Sequence, residues 1–513
     1  MSDTPPPVVW IFAVCIGLSL SVGLLACDSS AEPACDDDSD CFSSEICEDG
    51  VCQPQEQDAG NDNGEDADSG GSGCEDGQLS CGGQCFDAQT DPDHCGTCDN
   101  RCEDELGDNE VTSCAGGSCH YECAAGFTRC DGECVEDPGR CAVELSLAGH
   151  HSCVRFESGA VHCWGNNYHG QLGDGTTEEE QRNPVKVQDL TDAVSVSAGP
   201  EHSCAVTESG EVRCWGSNDA GQLGHGGPTE GDDARHSSPV TVDGISSATA
   251  IAAGSYHSCA VLEDGGVQCW GDNYFGQLGD GNGGQDTEVI STTPVDVLQI
   301  SSAVDVSVGL SHSCARLDDG GVQCWGSNED GQLGNGDEDH ETSVIPDEVV
   351  GLSDVIDIAV GSSGEATCAI TEEQTLYCWG KNNQDIFGED VDLRNESPIE
   401  VQDFASVAQV GVGTLFYSFI CVRLDDGIVH CWGSNRSGNL GDGSSDSKKL
   451  EPVNPALLGP TVELAVGDVH ACAITEGDEF DERGIKCWGS NFDGQIGDGT
   501  PEEFRDTPVW VNW

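Results

Sequence analysis

The chain has 513 residues, with 18 Lys and Arg against 95 Asp and Glu, a formal net charge of −77, and 32 cysteines. A surface of that sign repels phosphate backbones, so counterion release from basic contacts cannot drive nucleic-acid binding. The cysteines fall in even blocks, two by residue 27, four between 35 and 52, twelve between 74 and 141 and fourteen beyond, which implies an oxidising compartment outside the cytoplasm.

Residues Val8 to Ala26 are apolar or small and uncharged, and the run ends in Leu24-Leu25-Ala26-Cys27. This resembles the lipobox of bacterial lipoproteins, which implies that Cys27 is diacylated and becomes the first residue of an exported protein facing the periplasm or the cell surface. Met1 to Pro7 lacks the Lys or Arg of an ordinary signal. The apolar run is also long enough to span a bilayer uncleaved. Under either alternative the body is tethered by its N-terminus outside the cytoplasm.

Residues 28–52 form a small cysteine-rich module around Cys35, Cys41, Cys47 and Cys52, with three pairings open. Residues 53–73 have no periodicity and almost no apolar side chains, so they are expected to be a solvated, self-repelling linker. Residues 74–141 carry twelve cysteines and could not build a core without bridges. The stretch from Cys81 to Cys102, CGGQCFDAQTDPDHCGTCDNRC, resembles the cysteine-rich modules of stigma-specific proteins. Cys95-Gly-Thr-Cys98 reads as a staple in this density rather than as a redox site.

From residue 143 to 513 one pattern recurs seven times: two cysteines around a short acidic turn, then Trp-Gly. The tryptophans are 164, 215, 270, 325, 379, 432 and 488, spaced by 51 to 56 residues. That spacing holds four short strands with turns, one propeller blade, and no segment has the apolar period of an amphipathic helix. The expected fold is all-β, a seven-bladed β-propeller preceded by small disulfide-rich modules.

Within the first unit, Val143 to Leu147 alternates as a strand should. Glu157-Ser158-Gly159 has the composition of a three-residue hairpin loop whose last position is left-handed and favours glycine. Gly159, Gly210, Gly265, Gly320 and Gly427 keep that place, Gln374 replaces it in the fifth unit, and the seventh carries an insertion. A loop centred on Ser158 pairs Phe156 with Ala160 and therefore sets Cys153 opposite Cys163. That pair is non-hydrogen-bonded, with Cα atoms roughly 4.5 Å apart, within disulfide reach. The same count predicts structural bridges between Cys204 and Cys214, Cys259 and Cys269, Cys314 and Cys324, Cys368 and Cys378, and Cys421 and Cys431. The seventh pair, Cys472 and Cys487, is stretched but expected to bridge as well. Zinc and redox sites favour closer ligand spacing.

The seven tryptophans, at one place in every unit, read as packing between blades. Histidines 151, 202, 257, 312 and 470 precede the first cysteine by two residues, while Ala366 and Phe419 stand there in units five and six. They are expected to be satisfied structural groups rather than a metal ring. The Gly-Asp-Gly tripeptides from Gly173, Gly279, Gly441 and Gly497 suggest calcium, but the full loop signature is absent. They read as tight turns, with weak, diffuse divalent-cation binding by the acidic surface and no specific metal or cofactor.

The string His-Ser-Cys, Gly-x-Val-x-Cys-Trp-Gly-x-Asn, Gly-Gln-Leu-Gly resembles the regulator of chromosome condensation repeat, a seven-bladed propeller family. The resemblance implies a scaffold that binds other proteins, and by analogy with the family's eukaryotic founder it offers nucleotide exchange on a small GTPase as an alternative. Charge and compartment argue against nucleosome docking and against exchange. The sialidase Asp box, a Gly-x-Ser-x-Gly elbow and His-Glu-x-x-His do not occur, which argues against a propeller hydrolase or lyase. The function expected is therefore a non-enzymatic, lipid-anchored scaffold at the cell envelope, binding a protein or surface polymer through loops that vary between units. The candidate segments are Thr176–Asn183, Gly227–Ser237, Asn282–Ser291, Asp337–Ser343 and Gln384–Asn395.

Overall fold

A computed structural model describes residues 141–513 apart from 178, 230, 232–233, 285–288, 340, 363–365, 402–403, 405, 415–417 and 477–482, together with the backbone of short strands upstream. The leader and Cys27 lie outside the described residues, as do most of the acidic spacer and of the cysteine module. The upstream strands form antiparallel hairpins: Glu45–Glu48 with Val51–Pro54, Gln78–Cys81 with Gln84–Asp87, Glu110–Ala115 with Ser118–Cys123, and Thr128–Cys130 with Glu133–Val135.

Residues 142–510 build seven four-stranded sheets, each from four consecutive strands. In blade 1 these are Ala142–Leu147, His151–Phe156, Val161–Asn166 and Glu180–Lys186. The innermost strands of blades 2 to 7 are Ala193–Ala198, Ala248–Ala253, Ala303–Val308, Val355–Val360, Val407–Gly413 and Thr461–Val466. The fourth strand of blade 7, Phe504–Trp510, belongs to the same sheet as the three strands before it. The ring therefore closes by packing between blades 7 and 1, with no shared sheet. Trp513 stacks edge-on against Phe156 and Trp164 of blade 1, and Arg182 donates to the Thr500 carbonyl across the same junction.

The core is divided into seven clusters, and each lies between neighbouring blades around one buried tryptophan. A sheet that buries both faces against its neighbours needs apolar residues on both, and the second strands are buried along almost their whole length. The outermost strands are instead half-buried or exposed. Each carries proline at its fifth residue: 184, 239, 294, 346, 398, 452 and 508. Proline cannot donate to an added strand, so seven outer edges are blunted against pairing with other chains.

The hairpin argument holds in detail. Gly159 has φ +76, its amide donates to the Phe156 carbonyl, and Phe156 donates to the Ala160 carbonyl. Gln374 takes the same left-handed conformation at φ +62 without being glycine. Cys153 stands directly opposite Cys163 in the ladder and is bridged to it. The same register and the same bridge recur at Cys204–Cys214, Cys259–Cys269 and Cys314–Cys324. They recur again at Cys368–Cys378, Cys421–Cys431 and, across the longer hairpin, Cys472–Cys487. In all seven pairs the Cα atoms are 4.0 to 4.1 Å apart, somewhat closer than the spacing of a non-hydrogen-bonded pair.

The Trp-Gly dipeptide does separate work. Between the third and fourth strands the register slips at the tryptophan, where three residues of the fourth strand face it, and the indole packs against the preceding blade. The following glycine has φ +110 at Gly216, and a Cβ there would meet the Glu201 carbonyl oxygen at 2.5 Å and the His202 Cα at 2.7 Å. Gly216→Ala is thus expected to lower stability by about 3 kcal/mol or more, since backbone strain adds to a clash with main chain that cannot rotate away. Urea unfolding of the variant checks this, with Gly244→Ala, also at positive φ but with open space around its Cβ, as the control.

Candidate functional site

Between neighbouring blades the repeat residues form one relay. The Gln171 carbonyl of blade 1 accepts from Trp215 Nε1 at 2.8 Å and from Ser203 Oγ at 3.0 Å, both in blade 2. Ser203 Oγ lies 2.7 Å from His151 Nε2 of blade 1. Because the serine proton is directed to a carbonyl, His151 must donate through Nε2, which assigns its tautomer from the network. The relay repeats through His202–Ser258, His257–Ser313 and His312–Thr367, and His470–Ser152 carries it across the ring junction. The tryptophans of all seven blades donate to the corresponding carbonyl, including Ile386 and Asn439 where glutamine is absent. The second glycine of Gly-Gln-Leu-Gly supplies the bare surface on which the next indole lies, as Gly173 does for Trp215.

The histidines are thus structural, but only half satisfied. Nδ1 of each of the five is buried and has no hydrogen-bond partner among the described residues. Burial pushes the imidazole pKa of His151, His202, His257, His312 and His470 down to about 3, so all five are neutral at physiological pH. Where histidine is missing, its partner is missing too: Ala366 faces a blade carrying Ile420 in place of serine, and Phe419 one carrying Ala471. That paired loss is visible in the sequence and is the signal by which the relay could have been found.

The Gly-Asp-Gly turns are likewise internally occupied. Asn167 accepts the Leu172 amide and donates to Asp174 and the Thr176 carbonyl, while Asp174 also accepts from the Thr176 amide. Asn273 with Asp280 and Asn491 with Asp498 repeat the arrangement. Among the described residues no group of three or more metal-ligating side chains is gathered in one place.

The third residues of the inner strands bind one blade to the next near the central axis. Glu144 accepts from Arg155 at 2.6 Å, its cross-strand neighbour, and from the Val196 amide of blade 2. Asp357 and Glu463 face Ile370 and Ile474 instead of arginine. Burial, and then neighbouring carboxylates, push both up to about 7.

All five variable segments connect third to fourth strands, so they emerge on one face, together with the loops between first and second strands. Part of each is strand: Glu180–Asn183, Arg235–Ser237, Ile290–Ser291, Thr342–Ser343 and Arg394–Asn395 lie in outermost strands. Tyr168, Tyr274 and Phe492, each following the repeat asparagine of its blade, are exposed on this loop face. At its centre, Gly149, His150, Pro200, Glu201, Ser255, Tyr256, Leu310 and Asp468 enclose a cavity of about 250 Å³ at the channel mouth. Nothing in the repeat pattern announced it, because these loops differ from blade to blade. The bridged cysteines of the seven hairpins line no part of this cavity and lie buried inside the blades, so they hold the frame and take no part in the site.

Fold and relay together define a disulfide-bridged seven-bladed propeller of the repeat type whose loop face is open. The RCC1-like domain profile matches residues 67–419 and the regulator of chromosome condensation (RCC1) repeat matches 426–474, and the chain belongs to this family. It is similar to the ultraviolet-B receptor UVR8 of Arabidopsis thaliana, 28% identical over 378 residues that cover 71% of this chain and 80% of the receptor. It is also similar to the E3 ubiquitin-protein ligase HERC2 of Homo sapiens, 29% identical over 67% of this chain but only 7% of the ligase. Among solved structures, human WBSCR16 superposes with a TM-score of 0.59 at 22% identity, covering 68% of this chain and 94% of that one. Yeast RCC1 (Prp20) bound to Kap60 gives 0.57 at 22%, covering 76% and 88%.

Proposed function

We propose that this protein is an exported, lipid-anchored scaffold, tethered through Cys27, that binds a protein or a surface polymer with the loop face of its propeller and carries out no catalysis of its own. The observation that carries the reading is the placement of the five variable segments between third and fourth strands on one face of a frame held by seven disulfides, the longer hairpin of the seventh blade being the exception. A rigid frame whose variable loops gather on one side is how recognition surfaces are built. The buried bridges support an oxidising compartment. Yeast RCC1 (Prp20), which binds Kap60 and whose binding properties toward Gsp1p and histones are known, supports reading such a propeller as a protein-binding platform.

Immobilised mature protein is expected to capture an envelope component in stoichiometric amount without consuming it. Deleting Glu338 and Asp339, or Glu389 and Asp390, exposed residues of two of these segments, should weaken capture while leaving thermal stability within a few degrees. Mass spectrometry of the mature N-terminus tests the anchor, and an unmodified Cys27, or a chain still beginning at Met1, would exclude lipidation. Turnover of a bound substrate would replace the scaffold reading with an enzymatic one.

A further inference from the structure

The cavity at the channel mouth has a chemistry that the loop face as a whole does not. Its walls come from the loops between first and second strands of blades 7, 1, 2, 3 and 4, so five blades meet around one opening. Pro200, Leu310 and the ring of Tyr256 give it apolar walls, and Tyr256 is 43% exposed. Glu201 and Asp468 put two carboxylates into the same lining. Gly149 leaves room above Asp468, because a Cβ there would come within 3.2 Å of Asp468 Oδ2. Burial, then Glu201 and Asp272, hold the Tyr256 phenol above its ordinary pKa, which places the ring in a negative field. Among the described lining residues His150 alone can carry positive charge, and its Nδ1 is turned to Asp493 at 2.9 Å. The mouth is braced from the far side by Ser255 Oγ, which donates to the Ser362 carbonyl of blade 5 at 2.9 Å.

Apolar walls with an aromatic face and carboxylates suit a side chain with a hydrocarbon stem and a cationic head. A bare metal ion would gain nothing from proline, leucine and a tyrosine ring. We propose that this cavity receives an arginine or lysine side chain of a protein partner, the guanidinium or ammonium lying against Tyr256 and paired with Glu201. The net charge of −77 steers a basic segment toward the face from a distance, and the cavity selects one side chain on arrival. This inference deepens the scaffold reading and rests on it, choosing a basic protein segment over a neutral polymer.

The test uses the full chain and two labelled peptides, acetyl-Gly-Ser-Arg-Ser-Gly-amide and its citrulline counterpart. Anisotropy is read at about 0.15 M salt, where diffuse attraction is largely screened. The arginine peptide is expected to bind about 10-fold tighter than the citrulline peptide, and Glu201→Gln and Tyr256→Leu should each weaken it about 5-fold or more. Glu348→Gln, an exposed carboxylate on an outermost strand, should change nothing. Near-UV circular dichroism of the buried tryptophans verifies that each variant is folded. Equal binding of the two peptides, equal loss in Glu348→Gln and Glu201→Gln, or no binding of the arginine peptide would each overturn the assignment. If envelope capture survives Glu201→Gln and Tyr256→Leu undiminished, the scaffold reading stands and the cavity is not its contact.

Discussion

Reduction of the seven propeller disulfides should unfold the protein under conditions in which the oxidised form stays native. Six bridges span a sequence separation of 10, and Cys472–Cys487 spans one of 15. On the chain-entropy account each stabilises by roughly 2.8 to 3.1 kcal/mol before native strain is subtracted. Seven together reach about 20 kcal/mol, more than the 5–15 kcal/mol net stability of an ordinary domain. The oxidised ring is therefore not expected to survive as a native state once its loops are reopened. All fourteen cysteines are fully buried, so reductant can act only on a blade that has already opened. Dithiothreitol alone should act slowly, and dithiothreitol with urea below the oxidised midpoint should give one cooperative loss of near-UV signal. Alkylation followed by mass spectrometry should then count propeller thiols in pairs from within a blade. A reduced protein with an unchanged urea midpoint would show that the bridges add nothing, and bonds joining different blades would refute the assigned pairing.

What could be read in the amino-acid sequence was whatever a single blade determines by itself. The turn at Glu157 to Gly159, the register it imposes and the Cys153–Cys163 bridge are all local, and each is present. Even the stretched pair, Cys472 and Cys487, keeps the direct cross-strand register, because its extra residues enlarge the turn and leave the ladder intact. Contacts between blades were less accessible. Trp164 to Trp488 were recognisable as packing residues from their repetition, but their acceptor is a main-chain carbonyl one blade away, and no side-chain pattern marks a carbonyl. The five histidines were read correctly as structural, yet they are not fully satisfied, because only Nε2 finds a partner. Ring closure was undecidable from the chain because the Val143 strand and the Val509 strand fit either arrangement, and the choice depends on packing between the two ends. The channel-mouth cavity was illegible for a different reason. It is assembled from short loops of five blades with no shared motif, so only the closed ring brings Glu201, Tyr256 and Asp468 together.

The same half-satisfied histidines predict a steep acid transition. Each of the five is neutral in the native state with its pKa near 3, while in the unfolded chain it titrates near 6.5. The unfolded state therefore binds more protons as pH falls through 6.5, and stability falls with it by about 1.4 kcal/mol per pH unit for each group. Asp357 and Glu463 act in the opposite sense. Their native pKa values near 7 exceed the ordinary carboxyl range, so the native state takes up protons first and gains stability as pH drops from 7 toward 4.5. Burial also holds His162 down to about 4, so four groups remain in excess, giving a net loss that approaches about 5 kcal/mol per pH unit below 6.5. Loss of native near-UV signal is expected between pH 6 and about 5, well above the range in which ordinary carboxyls titrate. The chain supplies its own control, since the Ala366–Ile420 junction shows what an interface without the relay looks like. His202→Ala combined with Ser258→Ile copies that pair, removes one buried imidazole together with its acceptor, and should shift the acid midpoint downward with about one fewer proton taken up on unfolding. His202→Ala alone leaves the Ser258–Gln222 bond in place and should show the same proton count with lower stability at pH 7. If the double variant unfolds at the same pH and with the same proton uptake as the parent, the interblade histidines do not set the acid limit of the ring.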